Sequence, residues 1–270
     1  MRALWKGAIT FGLITIPVKL FSAVSEKSVK FHMLHAEDGG RIRYKRECAK
    51  CGKEVPWEEI GRGYEYSKDH YVMFTDEDFD SLDIDSVRAI DVVSFVPLEQ
   101  IDPIYFNKTY YVAPDPAGLK AYRLLAEALE AEGQVGVAKV ALRDKEHLAT
   151  VRLKDGIFVL ETMHWPDEIR EPEFEELDKK IDVRDAEVKM ARQLVQQLSS
   201  DFEPTEFQDE YRAAVEGLVQ RKVEGEEITV AAPPEEEPTK VVDLMEALKA
   251  SVDAAKKNKK EQPDRKAASS

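Results

Sequence analysis

The first 165 residues are built from short runs rich in β-branched and aromatic side chains, most of them closed by a turn signal. The runs are ITFGLITI (9–16), SVKFHMLH (28–35), RIRYKR (41–46), HYVMF (70–74), VRAIDVVSFV (87–96), IYFNKTYYVA (104–113), QVGVAKVALR (134–143), HLATVRL (147–153) and IFVLETM (157–163). EDGG (37–40), PDPAG (114–118), RDKE (143–146) and KDG (154–156) punctuate them, and such Gly, Pro and Asp clusters between strands read as tight connections. Many short strands with short links leave exposed edges unless the sheet closes, so the pattern predicts a barrel or a sandwich. One helix interrupts it. LKAYRLLAEALEAEG (119–133) carries Tyr122, Leu125 and Leu129 on one face, with Gly133 placed to stop it.

The periodicity changes after Trp165. IDVRDAEVKMARQLVQQLSS puts Met190, Ala191, Leu194, Val195 and Leu198 on one helical face, and EFQDEYRAAVEGLVQRKVEG does the same with Phe207, Tyr211, Ala214, Val215 and Leu218. The fold class is therefore mixed and mainly β. A β-barrel core spans residues 1–180 and a helical arm 181–223; an acidic, Pro-containing linker covers 224–240, and an amphipathic helix with a basic tail 241–270. The last helix carries Val241, Leu244, Met245, Leu248 and Val252 on one side. A helix of that length is marginal alone in water, so its stripe needs a partner, either another protein or the chain's own core.

Charge is unevenly spread. The formal net charge is −14, yet residues 1–53 hold 11 Lys and Arg against 4 Asp and Glu, while residues 161–238 hold 9 against 23. A cationic segment in an acidic chain steers a polyanion to one surface and repels it from the others. On a strand, Arg41, Arg43 and Lys45 would line one face and Ile42 and Tyr44 the other, which suits sequence-independent contact with a phosphate backbone. The alternative is an edge strand whose Lys and Arg discourage aggregation.

Cys48-Ala49-Lys50-Cys51-Gly52 has the spacing of half a zinc knuckle. A tetrahedral zinc site needs two further ligands, and His32 and His35 are the candidates upstream, with a pair of reduced cysteines as the alternative. Phosphate-binding, nucleophile-elbow and metalloprotease motifs are missing, so the reading is of a protein that is not an enzyme. No apolar run reaches the roughly 18 residues of a membrane span, and the N-terminus lacks a small-residue cleavage site, which predicts a cytoplasmic protein.

Four stretches, MRALWKGAITFGLITIPVKLFSA, FHMLHAEDGGRIRYKRECAKCGKEV, MHWPDEIREPEFEELD and EVKMARQLVQQLSSDFEP, resemble the bacterial Ku proteins of non-homologous DNA end joining, over roughly residues 1 to 225. The resemblance implies a Ku-type β-barrel with a helical arm, in a homodimeric ring threaded by a double-stranded DNA end at breaks in the nucleoid. It turns Arg41, Arg43, Lys45 and Arg46 toward the DNA, with Lys139 and Arg143 as further candidates and Arg152 and Lys154 behind them. It also implies that Val241, Leu244, Met245, Leu248 and Val252 contact the multifunctional end-joining DNA ligase. The competing reading is a zinc-stabilised protein–protein adaptor that does not touch DNA.

Overall fold

The computed structural model describes residues 1–81, 88–142, 145–225 and 244–261. They fall into two compact units, Met1–Glu171 and Pro172–Ser270.

The first unit is a closed seven-stranded barrel. β1 (Trp5–Phe11) and β2 (Ile14–Ser22) open it, and a two-stranded sheet of β3 (Arg62–Ser67) and β4 (His70–Phe74) lies outside it. A short helix α1 (Asp76–Asp80) is capped by Thr75, whose hydroxyl accepts from Asp78 N–H. The barrel resumes with β5 (Ala89–Pro97), β6 (Phe106–Pro114), helix α2 (Leu119–Glu132), β7 (Gln134–Leu142), β8 (Lys145–Lys154) and β9 (Ile157–Met163). Around the barrel the order is β1-β2-β6-β9-β8-β7-β5, with every pairing antiparallel except the parallel closure of β1 on β5. Alternate residues Ile16, Val18 and Leu20 of β2 point inward and meet Ile9, Ile90, Val112 and Phe158, the two-residue period a half-buried strand requires. α2 lays Tyr122, Leu125 and Leu129 on this core, and Gly133 caps it in the left-handed conformation, as the sequence predicts.

Closure depends on Gly7. A Cβ there would lie 1.9 Å from the Arg88 carbonyl oxygen and 2.2 Å from the Trp5 ring, so only glycine lets β1 approach β5 where Ala8 N–H donates to that carbonyl at 2.9 Å.

Two sequence expectations are corrected. ITFGLITI is not one strand: Gly12, at φ +57°, turns the chain between β1 and β2. SVKFHMLH and RIRYKR are not strands either, and are joined by the isolated bridge Leu34–Arg41. Between Val24 and Phe79 no described side chain is buried, so no core packing favours a strand there; HYVMF still forms β4 because β3 pairs with it, whereas SVKFHMLH and RIRYKR have no such partner strand among the described residues.

The second unit contains α3 (Asp185–Leu198), α4 (Glu210–Val223) and α5 (Leu244–Glu261), and α5 packs on α3. Among the described residues no helix is long and apolar enough to cross a membrane.

Candidate nucleic-acid interface

The cationic segment lies on the excursion between β2 and β5, and two turns hold it. In the first, His35 N–H donates to the Gly40 carbonyl at 2.8 Å and Ile42 N–H to the Met33 carbonyl at 3.1 Å. In the second, Cys48 N–H donates to Lys53 at 2.9 Å, Gly52 N–H to Cys48 at 2.8 Å and Val55 N–H to Arg46 at 2.8 Å, with Gly52 at φ +67°. Residues 43–45 link the turns without a sheet beside them. The expected apolar back face is therefore not formed: Ile42 is 47% and Tyr44 77% exposed.

What remains is uncompensated charge. Arg41 Nη2 lies 3.2 Å from His32 Nδ1, and the Arg46 guanidinium sits 4.9 Å from the Trp57 ring centroid. Arg43 has no ion-pair or hydrogen-bond partner among the described residues, and none of these three guanidinium groups meets a carboxylate there. Lys45 Nζ pairs with Glu54 at 2.9 Å, but both are exposed, and such surface pairs are worth only about 0–1 kcal/mol and exchange readily.

The other cations differ. Lys139 lies 3.7 Å from Glu146 and 5.8 Å from the centre of the Trp165 ring. Arg152 donates twice to Glu161, at 2.8 and 2.7 Å, with the side chains 24% and 13% exposed. This hydrogen bonding raises the arginine pKa and keeps the pair charged, leaving the guanidinium committed within the barrel wall. Lys154 ends β8, and Arg143 lies outside the described residues. Sequence reasoning missed Lys30 and Lys108, which line one polar cleft of about 510 Å³ with Asn107 and Glu26. No spacing rule links positions so far apart, because the β2–β6 pairing creates the cleft.

Cys48 is half-buried and Cys51 exposed, both as free thiols. Cys51 N–H and then Lys50 N–H donate to the Cys48 sulfur, which lowers its pKa below the ordinary thiol value and favours the thiolate. His32 is engaged by Arg41, and His35 Nδ1 lies 3.0 Å from Asp38. Among the described residues no three His, Cys, Asp or Glu side chains gather to hold a metal ion, so His32 and His35 do not join Cys48 and Cys51 in one ligand cluster.

On α5, Met245 and Leu248 are half-buried and Val252 is 6% exposed. Val241 and the Leu244 side chain lie outside the described residues. Leu248 borders an apolar groove of about 580 Å³ with Val183, Val188, Ala191 and Val195.

These features define a class: a closed β-barrel that projects an exposed cationic excursion, followed by a separate helical unit. Residues 10–190 match the family described as the Ku70/Ku80 beta-barrel domain. The chain is 50% identical to the "Non-homologous end joining protein Ku" of Frankia casuarinae over 95% of its own length and 64% of that protein's. It is 46% identical to the protein of that name from Desulfitobacterium hafniense, over 93% of this chain and 87% of the relative. The Bacillus subtilis protein of that name is 41% identical, over 97% and 85%. The chain belongs to the Ku family. It spans just under two thirds of the Frankia relative's length.

Proposed function

We propose that this chain is a non-catalytic, homodimeric protein of non-homologous end joining that holds double-stranded DNA ends without reading their sequence and brings the end-joining DNA ligase to them. The observation that carries this reading is the set of Arg41, Arg43 and Arg46, exposed and without carboxylate partners among the described residues, in a chain of net charge −14. Uncompensated cations gain affinity for a polyanion by releasing condensed counterions, and that gain carries no base information. The homodimer is supported by the apolar side chains left in water on the same excursion, among them Phe31, Met33, Tyr44, Trp57, Tyr64 and Met73. A surface of that kind marks an interaction site, and a second copy would cover it. The printed names of the relatives supply the pathway.

Threading relieves an energetic problem. Sequence-blind contacts give dissociation constants of roughly 10⁻⁴ to 10⁻⁶ M at physiological salt, too weak to hold a break for long. A ring that leaves only by sliding off an end keeps its residence time without stronger contacts. The test is competition between linear and covalently closed circular duplex of the same sequence. Linear DNA competes strongly and circles poorly if the reading holds; equal competition rejects threading. The adaptor reading has the Cys48–Cys51 turn in its favour, and it predicts no difference between the two DNA forms because neither binds.

A further inference from the structure

The stripe assigned above to the ligase is already in use. Met245, Leu248 and Val252 recur at the three- and four-residue spacing of one helical face, and that face meets α3. Leu248 borders the groove made with Val183, Val188, Ala191 and Val195, and Val252 is almost excluded from water. An apolar stripe on a single helix cannot be buried against two surfaces at once.

We propose that α5 is autoinhibited: docking on α3 hides its apolar stripe, and only the undocked helix is competent to bind the ligase. The proposal rests on the ligase-binding role of that stripe. The contact has the character of a reversible one. The groove beside Leu248 stays open at about 580 Å³, and Val188 and Val195 remain exposed along it. Docking thus leaves apolar side chains in water beside the helix, an incompletely covered surface, so another apolar groove can compete for it. If docking is favoured tenfold, the ligase affinity of the intact chain falls about tenfold below that of the free helix.

The test uses the full chain on linear DNA, with two double variants that leave α5 untouched: Val188→Glu with Val195→Glu, and Val188→Lys with Val195→Lys. Both positions are exposed, so α3 does not depend on them for burial. Hydrogen exchange across 244–261 reads docking, and titration with the same organism's end-joining DNA ligase reads affinity. In both variants exchange should accelerate and ligase affinity should rise about five- to tenfold. Unchanged exchange, a gain confined to one sign of charge, or faster exchange with no gain would each overturn the proposal. Leu248→Glu separates it from the reading it rests on. If that substitution leaves ligase binding intact, the stripe is not the ligase site and the recruitment role fails on its own.

Discussion

The Tyr122 hydroxyl donates to the Val112 carbonyl and accepts from Phe158 N–H, both at 2.7 Å. Val112 and Phe158 face each other across β6 and β9, so one phenol from α2 completes a ladder position in the barrel wall. Its ring packs edge-on to Phe158 at 4.6 Å, and burial raises its pKa above the ordinary phenol value, keeping it neutral. Tyr122→Phe keeps the ring and removes both hydrogen bonds, leaving a buried carbonyl and a buried N–H without that partner. The expected cost is about 1–3 kcal/mol, seen as a lower midpoint in denaturant unfolding with an unchanged slope. The sequence places Tyr122 on the buried stripe of α2 through its spacing with Leu125 and Leu129. The role of its hydroxyl is invisible at that level, because it depends on the register between strands some 45 residues apart.

At the scale of elements, legibility follows burial and pairing. Strands that pack on the core, such as β7 and β9, lie where alternation predicts them. The excursion between β2 and β5 has no core under it; HYVMF forms β4 because β3 pairs with it, whereas RIRYKR has no partner strand among the described residues and residues 42–46 run without regular structure. The cationic residues of the site are legible from charge alone, but which of them remain unpaired is not. Arg152 and Arg43 both read as cations on candidate strands, and only folding gives Arg152 its partner Glu161. The excursion also leaves and re-enters the barrel near one end of β1, since Leu20 registers with Trp5 and Ala89 with Ala8. Replacing residues 24–81 with a short Gly/Ser linker should therefore leave the barrel folded, with a thermal midpoint within about 5 °C of the parent. Binding of linear duplex by the same protein should fall to background. A collapsed midpoint would mean that the barrel needs the excursion.

Across the whole molecule, a strongly acidic chain gathers Arg41, Arg43 and Arg46, none of which meets a carboxylate among the described residues, on one short segment, which favours a local attraction to DNA over a general one. That arrangement has a measurable signature. Each neutralised phosphate contributes about 0.9 to the fall of log affinity with log salt. Replacing Arg41, Arg43 and Arg46 together by Ala removes these cations from both protomers of the proposed homodimer and should flatten that slope by about 5, measured on one linear duplex across a salt series. An unchanged slope would place the phosphate contacts elsewhere, with Lys30 and Lys108 next in line. The parallel closure of β1 on β5 bears on how the molecule is made. Thr10 on β1 reaches Asp91 on β5, 81 positions away, and the circle is complete only once β9 ends at Met163. At about 5–20 residues per second, the ribosome needs on the order of ten seconds to deliver that strand. Until then β6 and β8, the two neighbours of β9, each wait with a bare edge, so nascent chains stalled before residue 157 should be this protein's most chaperone-dependent form.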